Sequence, residues 1–191
     1  MTTVSKTKFL EFKFAKTQAG HDWFYVKRTN DSSKHDSAVV ITTLVKIKDE
    51  YNFLFLKTKR PPIYEENKAK YCIESPAGLI GDNDCEENLS ECAKKELLEE
   101  TGLVAETFYT ELLNSSTSAG LSSETLSYVT AIVEDYKIIQ EPVSDGGIII
   151  ERFFVPMKEI REFLRSNNNE DCSIASATVC GIFFALDRIL I

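Results

Sequence analysis

The chain has 191 residues, 43% of them hydrophobic and 27% charged, which suits one globular domain with a sizeable core. Its net charge of −8, with no basic stripe, argues against a nucleic-acid-binding protein. No apolar run suits a bilayer span or a signal peptide, and the five cysteines lack ligand-like spacing, so we expect a reduced, cytoplasmic protein without membrane contact, or a nuclear one.

The first half of the chain is rich in strand patterns. Short strands are predicted at 8–15 and 22–28, around a turn, and a polar linker follows them. Apolar, β-branched and aromatic runs then predict further strands at 38–47, 51–59 and 71–75. The first two of these runs are separated by Lys-Asp-Glu, which indicates a hairpin.

The second half alternates between helix and strand patterns. Helical spacing is predicted at 89–101, 157–166 and 173–190, and strands are predicted at 125–134 and 148–156. The whole pattern predicts an α+β fold, in which a few helices cover a mixed sheet.

The helix at 89–101 has clear start and stop signals. Asn88 and Glu91 resemble a capping box, and Gly102 is well placed as the left-handed stop residue. At about 100° per residue, an apolar stripe forms from Leu89, Cys92, Ala93 and Leu97.

Three carboxylates crowd the last turn of this helix. Glu96 and Glu100 fall on the apolar stripe and Glu99 lies at its edge. Buried unpaired, carboxylates are costly, and at a helix C-terminus each meets a dipole penalty of about 0.3–1 kcal/mol. A solvated acidic face explains this placement poorly, whereas a bound divalent cation such as Mg²⁺ would neutralise all three groups. Periodicity alone leaves both interpretations open.

The spacing of these residues resembles the Nudix box. That pattern is Gly, five residues, Glu, seven residues, Arg-Glu, an aliphatic residue, any residue, Glu-Glu, any residue, Gly and an aliphatic residue. The chain supplies Gly81, Glu87, Lys95, Glu96, Leu97, Glu99, Glu100, Gly102 and Leu103 at these positions. Lys95 replaces the usual Arg. Aligned on the Pro-Ala-Gly segment, either Gly78 or Gly81 opens the box.

The surrounding segments resemble the ADP-ribose and ADP-sugar pyrophosphatases of the Nudix superfamily. WFYVKRTN, LKTKRPP, YCIESPAGLI, KKELLEETG and SAGLSSETLSYVTA occur in the order seen in those enzymes. The resemblance implies an α/β/α sandwich with a mixed sheet, plus N-terminal antiparallel strands. It also implies a homodimer formed through an N-terminal strand region at 1–36, followed by a Nudix domain at 37–191.

The resemblance further implies Mg²⁺-dependent hydrolysis of ADP-ribose or a related nucleoside diphosphate sugar, with Mn²⁺ as a substitute. The products would be AMP (or another nucleoside monophosphate) and a sugar phosphate. Two alternatives stay open. One is a different substrate, such as UDP-glucose, NADH or a coenzyme A derivative. The other is a catalytically weak module that binds ADP-ribose.

The resemblance assigns roles to particular residues. By family position, the metal ligands are Glu96, Glu99, Glu100 and the backbone carbonyl of Ala77. The substrate-binding residues implied are Trp23, Arg28, Arg60 and Glu74. For Trp23 a packing role at the dimer interface is the alternative, and for the two arginines a plain surface charge.

The general base is less well defined. The family often places a catalytic glutamate in the loop before the strand at 148–156, where this chain has Ile148. Asp145 is the candidate nearest to that position, and a box glutamate, Glu99 or Glu100, is the alternative.

Overall fold

The computed structural model describes residues 1–29, 37–81, 88–143 and 148–190. Three strands near the N-terminus form an antiparallel sheet of their own, in the order β1-β2-β3. They are β1 (Thr2–Lys6), β2 (Leu10–Lys16) and β3 (Asp22–Arg28). The two strands predicted from the sequence are therefore confirmed, and β1 is an addition.

In the described parts of the chain, eight further strands form one mixed sheet. They are β4 (Ser37–Ile47), β5 (Glu50–Thr58), β6 (Tyr71–Glu74), β7 (Ala77–Leu79), β8 (Thr107–Ser116), β9 (Thr125–Val133), β10 (Ile149–Pro156) and β11 (Cys172–Ile174). The main order is β11-β6-β5-β4-β9-β8, with β10 paired to β5 and β7 paired to β4. The β4–β9 and β11–β6 pairs are parallel, and the remaining pairs are antiparallel.

Among the described residues, four helices accompany this sheet. They are α1 (Pro61–Glu66), α2 (Leu89–Thr101), α3 (Ile160–Asn167) and α4 (Ser176–Leu190), and a 3-10 turn at Met157–Glu159 precedes α3. The helix predicted at 173–190 begins later than expected, because Cys172–Ile174 add a short parallel strand to β6.

The sheet separates two apolar cores. Alternate residues of β5 point to opposite faces, so Leu54 packs with Leu97 of α2, whereas Phe53 and Phe55 pack with Ile182 of α4. Helices therefore cover both faces, which confirms the predicted α+β sandwich.

Helix α2 begins and ends as predicted. The Asn88 side chain accepts a hydrogen bond from the Glu91 N–H (3.0 Å), and the Glu91 carboxylate accepts one from the Asn88 N–H (3.1 Å). Gly102 ends the helix with φ 74°, and its N–H donates to the Leu98 carbonyl. Cys92, Ala93 and Leu97 are fully buried, so the predicted apolar stripe is confirmed.

Replacing Gly102 with alanine is expected to destabilise the fold. A Cβ atom at this position would overlap the backbone carbonyl oxygen of Gln140, in addition to the strain of a left-handed φ. We expect a loss of more than about 1 kcal/mol in the free energy of unfolding, measured by urea denaturation. Gly20→Ala is the matched control, since Gly20 also has a left-handed φ but open space around its Cβ position. Equal losses for the two variants would contradict the prediction.

Within the described residues, no helix combines the length and the apolar character that crossing a bilayer requires.

Candidate active site

One cavity, of about 530 Å³, gathers most of the charged residues singled out in the sequence. Helix α2 contributes Glu96, Glu99 and Glu100 to its wall. Strand β7 supplies backbone along Ala77–Leu79, beside the last turns of the helix. Opposite charge comes from Arg28 and Arg60, so acidic and basic groups face the same space.

Two of the glutamates are held against strand β7. The Ala77 N–H donates a hydrogen bond of 3.0 Å to Oε2 of Glu100. The carboxylate of Glu96 lies where a Cβ atom of residue 78 would be, so only glycine leaves room for it. Lys95 Nζ is 3.6 Å from Oε1 of Glu96. The inward placement predicted for these carboxylates is therefore matched by specific contacts.

Gly78 and Gly81, the two candidates for the first glycine of the Nudix-like box, lie in different local structures. Gly78 lies within β7, under the Glu96 side chain, whereas Gly81 lies in the turn that follows the strand. Gly78 is therefore the glycine in direct contact with the acidic cluster. Glu87 and Asp145 lie outside the described residues.

The C-terminus of α2 is closed by groups that the sequence did not reveal. The half-buried Arg152 of β10 donates from Nε to the carbonyl oxygen of Glu100. The Val143 N–H donates to the Glu99 carbonyl (2.7 Å), and the Ile139 N–H donates to the Gly102 carbonyl (2.9 Å). A cation at this end of the helix interacts favourably with its dipole and offsets part of the penalty on the glutamates.

Substitution of Arg152 by methionine should destabilise the protein. The side chain keeps its approximate length but loses the charge and the hydrogen bond at the negative end of α2. We expect the free energy of unfolding to fall by about 1–2 kcal/mol in urea titrations. Arg161→Met, at an exposed position of α3, is the control and should change it by less than about 0.5 kcal/mol. Indistinguishable results for the two variants would show that Arg152 has no such role.

Arg60 is held by Glu74, one of the residues for which the family resemblance implied substrate binding. Its Nε donates to Oε2 of Glu74 at 2.9 Å, and the Thr58 hydroxyl donates to the same oxygen at 2.9 Å. Glu74 does not line the cavity described above, whereas Arg60 does. The structure therefore places Glu74 behind Arg60, where it orients the guanidinium.

Arg28 is also paired, with a residue that sequence reasoning missed. Its Nε lies 2.7 Å from Oε1 of Glu124, and both side chains line the cavity. Backbone bonds join β3 to the segment before Glu124, from the Val26 N–H to the Leu121 carbonyl and from the Ser123 N–H to the Val26 carbonyl. These bonds bring the N-terminal sheet to the cavity, which explains how a residue as early as Arg28 reaches it.

Trp23 lies outside the cavity wall. Its indole Nε1–H donates to the Gly120 carbonyl (3.0 Å), and 52% of its surface is exposed. Within one chain, this tryptophan therefore contacts the loop at Gly120 and does not line the cavity with the glutamates.

The acidic side chains of the cavity have the chemistry of ligands for a divalent cation. Their chemistry fits, because three carboxylates at i, i+3 and i+4 of one helix line one cavity and offer the hard oxygen donors that Mg²⁺ prefers. Over the described ranges, however, no three or more His, Cys, Asp or Glu side chains converge closely enough to hold a metal ion. The donors are present, and Glu100 is turned to the Ala77 N–H.

Comparison with known proteins identifies the family. No family model matches the chain. An uncharacterized Nudix hydrolase of Schizosaccharomyces pombe is 33% identical over 151 residues, which cover 75% of this chain and 67% of that protein.

Three solved structures share the fold at low sequence identity. A structure described as an ADP compounds hydrolase has a TM-score of 0.67 and 20% identity, covering 99% of this chain and 91% of its own. The Nudix domain of Shewanella oneidensis NrtR complexed with ADP ribose has a TM-score of 0.59 and 18% identity, and the match covers 82% of this chain and 90% of that domain's chain. A C. elegans Ap4A hydrolase binary complex has a TM-score of 0.52 and 16% identity, and the match covers 81% of this chain and 96% of the hydrolase chain. These structures show the shared fold, and the 33% identical yeast relative shows that the chain belongs to the Nudix hydrolases.

Proposed function

We propose that this chain hydrolyses the diphosphate bond of ADP-ribose or a related nucleoside diphosphate sugar, with Mg²⁺ as the cofactor. The observation that carries the proposal is the shared cavity, in which three box glutamates face two arginines. A diphosphate repels an attacking hydroxide, so its cleavage requires cations on the phosphate oxygens and a site that activates water. This cavity offers both kinds of group.

Glu96, Glu99 and Glu100 are the residues proposed to hold the cation, together with the backbone carbonyl of Ala77. The cation would supply a Lewis acid for the diphosphate and lower the pKa of a bound water. Since the carboxylates do not converge in the structure, we expect binding to draw Glu100 away from the Ala77 N–H.

The arginines are proposed to bind the phosphate groups. Glu74 and Glu124 fix the direction of Arg60 and Arg28, and a guanidinium group forms charge-assisted hydrogen bonds with phosphate oxygens. Such prior orientation reduces the entropy lost when the substrate binds. A box glutamate or Asp145 would accept the proton of the attacking water.

Two of the structural neighbours support the choice of substrate. One is described as an ADP compounds hydrolase, and another was solved with ADP ribose. We therefore propose ADP-ribose as the first substrate to test, with Mn²⁺ as a replacement for Mg²⁺.

The test is a discontinuous assay of AMP release. The purified chain is incubated with ADP-ribose and Mg²⁺, and AMP and ribose 5-phosphate are quantified by chromatography. UDP-glucose, NADH and coenzyme A serve as the panel of competing substrates, and EDTA serves as the metal-free control. We expect AMP from ADP-ribose in the presence of Mg²⁺ and none with EDTA. Absence of turnover for every nucleoside diphosphate sugar would overturn the proposal, and a rise in melting temperature without consumption would favour a binding module.

We also propose that the N-terminal region, residues 1–36, joins two copies of the Nudix domain, residues 37–191. One face of its sheet carries Leu10, Phe12 and Phe24, each more than 40% exposed, and the rings of Phe12 and Phe24 stack at 5.5 Å. An apolar face of this kind favours association. Sedimentation at micromolar concentration should give a dimer for the full chain and a smaller species for Phe12→Lys. A monomeric wild-type chain would contradict the proposal.

A further inference from the structure

A group of lysines lines a cavity that shares no lining residue with the candidate active site. Thr58 and Arg60 both contact Glu74, whereas Lys57 of β5 points to the opposite face of the strand from Thr58. Lys59 and Arg60 are neighbours in sequence, yet they line different cavities.

The lysine cavity is defined by five residues around the turn between α1 and β6. It has a volume of about 300 Å³ and is lined by Lys59, Tyr64, Lys68, Lys70 and Tyr71. Three ammonium groups thus border one small space on a chain whose net charge is −8. Its lining contains no carboxylate among the described residues.

The charges of this cavity are incompletely neutralised. Within the described parts of the chain, neither Lys59 nor Lys68 forms an ion pair with a carboxylate. Lys70 pairs with Asp171 at 2.8 Å, but both side chains are about two-thirds exposed, and such pairs contribute little. Lys59 Nζ lies 5.2 Å from the centre of the Tyr64 ring, which orients the ammonium and leaves its charge in place.

A larger cavity, with both aromatic and polar lining, adjoins the lysine cavity. This aromatic cavity has a volume of about 420 Å³, and Phe153, Phe163 and Tyr71 contribute rings to its wall. Glu151 and Asp171 also line it, so the organic part of a ligand, and not its anionic group, suits this space. Tyr71 borders both spaces, and Lys57 Nζ lies 4.5 Å from the centre of its ring. A ligand that spans the two cavities would therefore place an anionic group beside lysines and an organic group beside aromatic rings.

We propose that these adjoining cavities form a second site, which binds a small organic phosphate separately from diphosphate hydrolysis. The phosphate is held by Lys59, Lys68 and Lys70 through charge-assisted hydrogen bonds, and its planar or apolar portion enters the aromatic cavity. The inference concerns binding alone and does not depend on the activity proposed above.

Calorimetric titration with adenosine 5′-monophosphate in EDTA tests this site, because that probe combines one phosphate with a planar ring and has no diphosphate to cleave. We expect saturable binding to the wild-type chain, and affinity at least about tenfold weaker for Lys59→Gln/Lys68→Gln. Lys48→Gln/Lys137→Gln removes two other exposed lysines and is the matched control for net charge, which should leave the affinity unchanged. Inorganic phosphate should bind at least about tenfold more weakly than the nucleotide, since it cannot occupy the aromatic cavity.

Three results would each overturn the proposal. The first is no saturable binding by the wild-type chain. The second is unchanged affinity in Lys59→Gln/Lys68→Gln, which would place the nucleotide elsewhere, including at the box glutamates. The third is equal weakening in the control variant, which would indicate attraction by overall charge. Circular dichroism confirms that each variant is folded before titration, and we expect little change because the lysines are exposed.

Discussion

Replacement of Glu100 by glutamine is expected to lower kcat for diphosphate hydrolysis by roughly 10²–10⁴-fold. The substitution keeps the shape of the side chain but removes a charge from the cavity shared with Arg28 and Arg60. The amide oxygen of glutamine can still accept the hydrogen bond from the Ala77 N–H, so the local fold should persist. The expected result is therefore a folded protein with little or no hydrolytic activity.

Three measurements distinguish this loss from simple unfolding. The melting temperature of Glu100→Gln without metal should be close to that of the wild-type chain. Titration with Mg²⁺ should stabilise the wild type more than the variant, because only the wild type offers all three carboxylates. Glu66→Gln, at an exposed position on α1, is the control and should retain full activity. Activity within twofold of the wild type in Glu100→Gln would remove Glu100 from the proposed mechanism.

The helix that carries these glutamates was predictable because its signals are local. The capping box at Asn88 and Glu91 and the stop at Gly102 depend on residues three or four positions apart, and the structure shows both as expected. Local spacing also placed the carboxylates on the inward side. The identity of the family followed from the same short segment, together with the order of the segments around it.

The side chains that contact the site residues from distant parts of the sequence were not predictable in the same way. Arg152 lies 52 residues from Glu100, and Glu124 lies 96 residues from Arg28. Their contacts depend on how β10 and the β8–β9 connection pack, which no spacing within one segment reveals. Strand β8 was missed for a related reason, since it is an edge strand with mostly exposed residues and lacks clear alternation.

The residues for which the resemblance implied substrate binding do not all lie in the cavity. Arg28 and Arg60 line the cavity with the glutamates, whereas Glu74 contacts Arg60 and Thr58, and Trp23 contacts the loop at Gly120. A role for Trp23 in stacking on a base therefore stays a prediction. It requires a ligand that extends to the loop at Gly120, or a second copy that completes the wall.

Substitution of Gly78 tests how the proposed cation site is built. A Cβ atom at residue 78 would overlap the carboxylate of Glu96, which is the flexible end of a side chain and can move aside at little cost. Gly78→Ala should therefore unfold at nearly the wild-type urea concentration. Its activity should nevertheless fall roughly 10–100-fold, because displacing a catalytic group by about 1 Å can cost that much.

A double-mutant cycle decides whether Gly78 acts through Glu96. If the methyl group harms activity only by moving that carboxylate, adding Gly78→Ala to Glu96→Gln should cost much less than adding it to the wild type. The logarithms of the two losses would then fail to add, and the apparent Mg²⁺ affinity should show the same pattern. Additive losses would mean that the backbone of β7 is disturbed directly, and that Gly78 is needed for the strand and not for the glutamate. Non-additive losses would instead explain why residue 78 is a glycine: the absence of a side chain there would be what allows the Glu96 carboxylate to point inward.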